Sequence, residues 1–139
     1  MINIFSYAKV ITPILLSYSM LTATPLMSNE TTGFKNPVRD IDQTSFHSFS
    51  SNKIVVVDYY ADWCGPCKRL KPIYEDLAYT YSDKAFFGRV NIDKSRSLAK
   101  SHNISKLPTL VIYEDGKEIS RRGPGSKHEI KAWIESNIK

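Results

Sequence analysis

Cysteine is scarce in this chain, with only two cysteines among 139 residues. So small a number excludes a disulfide-dense scaffold and a zinc site made of cysteines alone. The three histidines, His47, His102 and His128, lack the paired spacing of metal ligands, and no glycine-rich nucleotide-binding motif is present. We therefore expect no metal and no bound cofactor, and any chemistry depends on where the two cysteines lie.

Charge of one sign is not in strong excess either. The chain has 19 Lys and Arg against 14 Asp and Glu, a net charge of +5. Because these charges are scattered, they indicate solubility rather than a nucleic-acid partner. With 42% hydrophobic residues, the chain should bury one core, which excludes a disordered chain and a large multidomain enzyme. We expect a single domain that acts as a monomer.

Charged residues are nearly missing from the N-terminal segment, where Lys9 stands alone and no acid precedes Glu30. An apolar stretch after one positive charge is typical of a secretory signal peptide, which we assign to residues 1–27. A membrane anchor, a mitochondrial transit peptide and a disordered extension are the alternatives. The sequence thus predicts export to a secreted, periplasmic or lumenal location, with membrane contact only if the segment is uncleaved.

The rest of the chain predicts one α/β domain. Residues 28–37 are polar with Gly and Pro, as in a linker, and the domain is assigned to residues 34–139. The β-branched and aromatic run Ile54–Tyr60 lacks alternation, as expected of a strand covered on both faces. Further strands are predicted over 85–92, 109–113 and 117–122, with helices over 44–50, 66–78, 95–102 and from 126 onward. This order indicates a parallel crossover followed by an antiparallel hairpin.

The two cysteines occur as Cys64-Gly65-Pro66-Cys67, where the first core strand meets a helix. At a helix N-terminus, unpaired N–H groups and the helix dipole stabilise a thiolate, so Cys64 is the candidate nucleophile. Cys67, one turn inside, suits the second step of disulfide exchange. Half of a zinc site or a structural disulfide would also give this spacing. A zinc site would need a second pair of ligands, which the sequence lacks. A structural disulfide that closes so short a loop would add little stability.

Several separated motifs then resemble one family. They are VVVDYYADWCGPCKRLKP, FGRVNID, KLPTLVIYEDG and the glycine at Gly123, in this order. In these motifs the segment from Phe34 to Lys139 resembles the thioredoxin family. The resemblance implies the thioredoxin fold, a single α/β domain with a central mixed β-sheet flanked by helices. It also implies a thiol-disulfide oxidoreductase that reduces protein disulfides through the Cys64–Cys67 pair.

The resemblance also assigns roles to individual residues. It implies that Cys64 attacks, that Cys67 resolves the mixed disulfide, and that the buried acid Asp58 assists proton transfer at Cys67. It implies a cis bond before Pro108. A shallow groove for an extended substrate segment would be bordered by Trp63, Gly65, Pro66, Leu107, Pro108 and Gly123. Taken alone, Trp63 fits a core position as well.

Some residues depart from the family pattern. Arg89 stands where a lysine commonly neighbours the buried acid, and an arginine keeps its charge permanently. Lys106 and Arg122 occupy groove positions that are often small or apolar. Together with Lys68 and Arg69 they predict a basic rim that favours acidic substrate segments at low salt.

The resemblance implies disulfide-containing proteins as substrates and an external electron donor, such as a thioredoxin reductase. If the chain is exported, the electron donor would be a thiol carrier in the membrane, or the protein would act as an oxidase or isomerase. A non-catalytic partner-binding module is the remaining alternative.

Overall fold

The computed structural model describes residues 36–138. The predictions for residues 1–27, and for the linker up to residue 35, lie outside the described residues. No helix within 36–138 has the length and apolar character needed to span a bilayer. The elements are β1 (Val38–Asp40), α1 (Phe46–Ser50), β2 (Ile54–Tyr60), α2 (Gly65–Thr80), β3 (Phe86–Asn91), α3 (Arg96–Ser101), β4 (Thr109–Glu114), β5 (Lys117–Arg122) and α4 (Lys127–Asn137).

The five strands form one mixed sheet in the order β1-β3-β2-β4-β5. Strand β2 lies at its centre, parallel to β3 and antiparallel to β4, and β5 completes a hairpin with β4. The predicted parallel crossover and antiparallel hairpin are therefore confirmed. Because β2 has a strand on each side and helices over both faces, its first six residues are all buried. This explains the unalternating apolar run in the sequence.

Side chains of β2 alternate between two apolar layers. Val56 faces a layer that includes Tyr74 of α2 and Ile130 of α4. Val55 and Val57 face the opposite layer, which holds the side chains of α1 and α3. Since successive strand residues point to opposite faces, Asp58 lies on the α2 side of the sheet. This alternation fixes which face of the sheet carries the acid.

The predicted elements are confirmed within one or two residues at most ends, and one strand is additional. Helix α4 begins with a capping box, in which Ser126 Oγ accepts a hydrogen bond from the Glu129 N–H and donates to the Glu129 carboxylate. Strand β1 was not predicted. It contains one apolar residue, Val38, and forms by pairing its backbone with β3 at the edge of the sheet. So short a strand has no periodicity to detect.

Candidate active site

The end of β2 passes through a tight turn into α2, and the two cysteines lie at this junction. The Cys64 N–H donates to the Ala61 carbonyl over 3.1 Å, and Cys64 is the N-cap of α2. Its Sγ accepts a hydrogen bond from the Cys67 N–H over 3.2 Å, and Sγ is joined to the Sγ of Cys67 by a disulfide. Pro66 sits in the first turn, where a missing N–H costs nothing. An otherwise unpaired helix N–H is thus directed at the sulfur of Cys64.

The disulfide packs in a small apolar cluster with Ala61, against Ile92 and Leu107. Cys64 is 5% exposed and Cys67 is 1% exposed. Cys67, one turn inside the helix, is the more shielded of the two, although both are buried. An incoming disulfide therefore reaches Cys64 first.

A buried ion pair lies in the sheet behind the disulfide. Asp58 of β2 and Arg89 of β3 are direct partners in the parallel register, so their side chains share a face. Arg89 Nε donates to Asp58 Oδ2 over 2.9 Å, and the guanidinium carbon lies 3.8 Å from the centre of the Tyr60 ring. The other carboxylate oxygen, Oδ1, is buried with no hydrogen-bond partner among residues 36–138. The predicted contact between Arg89 and the buried acid is confirmed.

Burial controls the protonation of this acid. Burial raises the pKa of Asp58 to about 6, although the charge of Arg89 acts in the opposite direction. The permanent charge of Arg89 favours the ionised carboxylate, but its effect on the pKa of Asp58 is weaker than that of burial. A cavity of about 290 Å³ borders Arg89, Tyr60 and Cys67, and so connects the ion pair with the second cysteine.

Trp63 is fixed on the surface beside Cys64. Its side chain is 69% exposed, which rules out the alternative of a core position. The indole Nε1 donates to Asp93 Oδ2 over 2.9 Å. Sequence reasoning missed Asp93, because nothing in the chain links two residues 30 positions apart until the fold brings them together.

The Leu107–Pro108 bond is cis, as the resemblance implied. This loop separates two clefts. One, of about 350 Å³, is lined by Trp63, Cys64, Gly65, Pro66, Ile92, Ile104, Ser105, Lys106 and Leu107. The other, of about 500 Å³, is lined by Asn103, Ser105, Lys106, Leu107, Pro108, Thr109, Arg121, Arg122, Gly123 and Pro124. All six predicted groove residues border one or both clefts. Ile92, Ile104 and Ser105 were not predicted.

The four predicted basic residues do not form one rim. Lys106 and Arg122 border the clefts beside Pro108. Arg69 folds back toward Gly65, with Nη1 3.9 Å from where a Cβ on that glycine would lie. Lys68 instead borders the cavity on the Cys67 side, together with Asp40 and Asp62. The prediction is therefore wrong for Lys68, because consecutive helix residues point in different directions.

These features define a class of protein. A disulfide capping the first turn of a helix, at the end of a central sheet strand and opposite a cis-proline loop, can exchange reversibly with other disulfides. Among residues 36–138, no group of three or more His, Cys, Asp or Glu side chains could hold a metal ion. The class is that of the thiol-disulfide oxidoreductases.

Comparison with known proteins gives the family. The thioredoxin family model matches residues 37–136, and the chain belongs to the thioredoxin family. It is 42% identical over 89 residues to thioredoxin-2 of Saccharomyces cerevisiae, covering 64% of this chain and 85% of the relative. It is 36% identical over 94 residues to thioredoxin 1 of Plasmodium falciparum, covering 67% of this chain and 89% of that one.

Solved structures support the same assignment. A mutant thioredoxin from Halobacterium salinarum superposes with a TM-score of 0.68 at 31% identity, covering 73% of this chain and 91% of that one. Plasmodium falciparum thioredoxin superposes with a TM-score of 0.67 at 33% identity, covering 70% and 97%. The protein is accordingly a protein-disulfide oxidoreductase with the thioredoxin fold.

Proposed function

We propose that this oxidoreductase acts in the reducing direction, with Cys64 as the attacking thiol and Cys67 as the resolving thiol. The observation that carries the assignment of roles is the N-cap position of Cys64, whose sulfur accepts the Cys67 N–H. That hydrogen bond stabilises a thiolate on Cys64 and not on Cys67. The Gly65–Pro66 pair between the cysteines, which resembles reductive members of the family, supports the direction.

The reaction balances as two successive exchanges. The Cys64 thiolate attacks one sulfur of a substrate disulfide, whose S–S bond breaks, and the departing thiolate takes a proton from solvent. The Cys67 thiol then loses its proton and its sulfur attacks Cys64 Sγ, which releases the second substrate thiol and forms the Cys64–Cys67 disulfide. Two electrons and two protons have moved to the substrate. An external donor must return them before the next cycle.

Asp58 is the group proposed to assist the second exchange by accepting the Cys67 proton. Its Oδ1 has no hydrogen-bond partner among the described residues and is therefore free to accept one. Its pKa, raised by burial to about 6, lies closer to that of a thiol than an ordinary carboxyl does. The cavity that borders both Cys67 and Arg89 offers a route for the proton to reach solvent.

The clefts beside Pro108 are the proposed binding site for an extended segment of a disulfide-containing protein. Such a segment would pair through its backbone with the loop before Pro108, leaving its cysteine above Cys64. No hydrogen bond joins the Leu107 N–H or carbonyl to another backbone group in residues 36–138, so both are available. A thioredoxin reductase, or a thiol carrier in a membrane, would use the same surface as electron donor.

Export is proposed for the location, with residues 1–27 as a signal peptide. The support is the composition of that segment, in which Lys9 is the only charged residue. Mass spectrometry of the protein from its native source gives the mature N-terminus. A start between residues 22 and 36 agrees with cleavage, whereas an intact Met1 contradicts it and indicates an anchor or an uncleaved extension.

The function is tested by insulin reduction with dithiothreitol as donor, using the full chain and its Cys64→Ser and Cys67→Ser variants. The wild type should accelerate insulin precipitation, and both variants should fall to the uncatalysed rate. Ser48→Ala, an exposed change in α1, should retain full activity. A Cys64→Ser variant that remains active would contradict the assigned role.

The direction is tested separately by equilibrating the protein with glutathione buffers of known potential. A reductase should be oxidised in buffers where glutathione is still mostly reduced. A pair that stays reduced in strongly oxidising buffers would contradict the proposal and indicate an oxidase.

A further inference from the structure

Lys106 has an unusual position in the active-site surface. It borders both the cleft beside Cys64 and the cleft on the other side of Pro108. Neither cleft is lined by an aspartate or a glutamate from the described part of the chain. A positive side chain at this point therefore faces no local carboxylate.

The other cations of these clefts are already engaged. Arg121 makes two hydrogen bonds to the Glu118 carboxylate, at 2.5 and 2.7 Å. Arg122 donates to the carbonyls of Glu129, at 2.7 Å, and Gly123, at 3.2 Å. The Lys106 ammonium is exposed and has no ion pair or hydrogen bond with any of residues 36–138. Lys106 is thus the cation of the clefts that is available to a ligand.

The backbone of Lys106 is well held. Thr109 Oγ1 donates to the Lys106 carbonyl over 2.7 Å, and Pro108, two residues on, is buried. The side chain therefore starts from a fixed point next to Leu107, which packs against the disulfide cluster. From this point the long side chain of Lys106 can reach over the cleft that it shares with Cys64.

We propose that Lys106 binds an Asp or Glu side chain of the substrate, close to the cysteine that Cys64 attacks, and so makes this protein select acidic disulfide segments. The inference rests on the function proposed above and adds a substrate class to it. The sequence predicted a basic rim made of four residues, and the proposal assigns the selectivity to Lys106 alone. Lys68 faces another cavity, Arg69 is directed toward Gly65, and Arg122 is held by the carbonyls of Glu129 and Gly123.

The expected size of the effect follows from the exposure of the pair. Exposed ion pairs change an equilibrium or rate by up to about fivefold, because water screens them. In about 1 M salt, where charges are screened beyond roughly 3 Å, the preference should nearly vanish. Selectivity should appear mainly in kcat/KM, since the contact forms as the substrate binds.

The test uses three disulfide peptides that are identical except for Glu, Gln or Lys at the positions flanking the cysteine. We measure kcat/KM for each with the full chain in low and high salt. For every variant the Gln peptide is the internal reference. A change in the reactivity of Cys64 itself therefore alters all three rates and leaves their ratios unchanged.

The wild type should favour the Glu peptide over the Lys peptide by about threefold to fivefold at low salt. Lys106→Gln should bring the ratio close to one, and Lys106→Glu should reverse it. The matched control is Lys84→Gln, which removes the same charge from an exposed turn beyond the other end of α2. It should keep the wild-type ratio.

Three negative results would have different meanings. If the wild type turns over all three peptides at equal rates, the selectivity proposal is wrong while the oxidoreductase function stands. If a preference exists but Lys106→Gln and Lys84→Gln reduce it equally, net charge and not Lys106 is responsible, which also overturns the proposal. If no peptide is reduced by any form of the protein, the proposed reducing function fails instead.

Discussion

The buried acid Asp58 should make the fold less stable at neutral pH than in mild acid. The proposed change is Asp58→Asn, which keeps an oxygen to accept the 2.9 Å hydrogen bond from Arg89 while removing the charge. Asparagine has nearly the shape of a protonated aspartate. The variant therefore represents the wild-type protein with its acid permanently neutral.

The magnitude follows from the pKa of the acid. Burial raises the pKa of Asp58 from 3.8 to about 6. Because the folded state holds the proton more tightly, the stabilising contribution is complete below pH 3.8 and is lost as the pH rises through 6. A shift of about two pKa units, at about 1.4 kcal/mol each, corresponds to about 3 kcal/mol. At pH 8, Asp58→Asn should raise the free energy of unfolding by about this amount, and near pH 4 by little.

The assay is urea unfolding of the oxidised full chain at several pH values between 4 and 8. Asp83→Asn is the matched control, because Asp83 is an exposed acid in the turn before β3. It should follow the wild-type pH dependence. If Asp58→Asn and the wild type keep the same stability difference from pH 4 to pH 8, the carboxyl is not made costly by burial, and the reasoning is wrong.

Three further substitutions have definite expected outcomes. Gly88→Ala should lower the free energy of unfolding by about 1 to 3 kcal/mol in urea titrations, because a Cβ there would lie 2.7 Å from Phe49 Cε1; unchanged stability would contradict the packing described. Ser126→Ala should cost about 1 kcal/mol by removing the hydrogen bond to the Glu129 N–H, and thermal unfolding with no shift in midpoint would refute it. Trp63→Ala should lower kcat/KM for insulin by about fivefold or more but leave the rate with a small aromatic disulfide nearly unchanged. Equal losses with both substrates would show that this side chain acts on the thiol chemistry and not on protein docking.

The sequence predicts the elements that carry the site because they have strong local signals. The run Ile54–Tyr60 has no polar interruption except Asp58, so its central place in the sheet can be inferred. Pro66 marks the first turn of α2, which places Cys64 at the N-cap. Local sequence therefore predicts Cys64 as the candidate nucleophile, while the oxidoreductase activity was inferred from the resemblance.

Contacts between residues that are far apart in the chain could not be inferred from the residue types alone. Asp93, the partner of Trp63, lies 30 positions away and was not predicted. Arg89, 31 positions from Asp58, was expected beside it only through the resemblance. The buried chain of hydrogen bonds from Tyr59 to Tyr113 and on to His102 was not anticipated for the same reason. Tyrosines in a strand pattern predict burial, but not which hydroxyl groups meet.

The resemblance to the thioredoxin family predicted two features that the residues themselves do not indicate. An X-Pro bond is usually trans, so nothing in the residues around Pro108 predicts the cis bond that the structure contains. The groove position of Gly123 was likewise inferred from the resemblance. At the clefts, only the structure could separate Lys106, which has no ion pair among residues 36–138, from the paired Arg121.

The central claim is that the Cys64 sulfur forms a covalent bond with the substrate and that Cys67 later breaks it. Its most direct test is to react the reduced full-chain Cys67→Ser variant with insulin and to identify the product by peptide mass spectrometry. The account predicts a stable mixed disulfide between Cys64 and an insulin cysteine, which the wild type does not accumulate. Failure of the reduced variant to form any adduct would contradict the account.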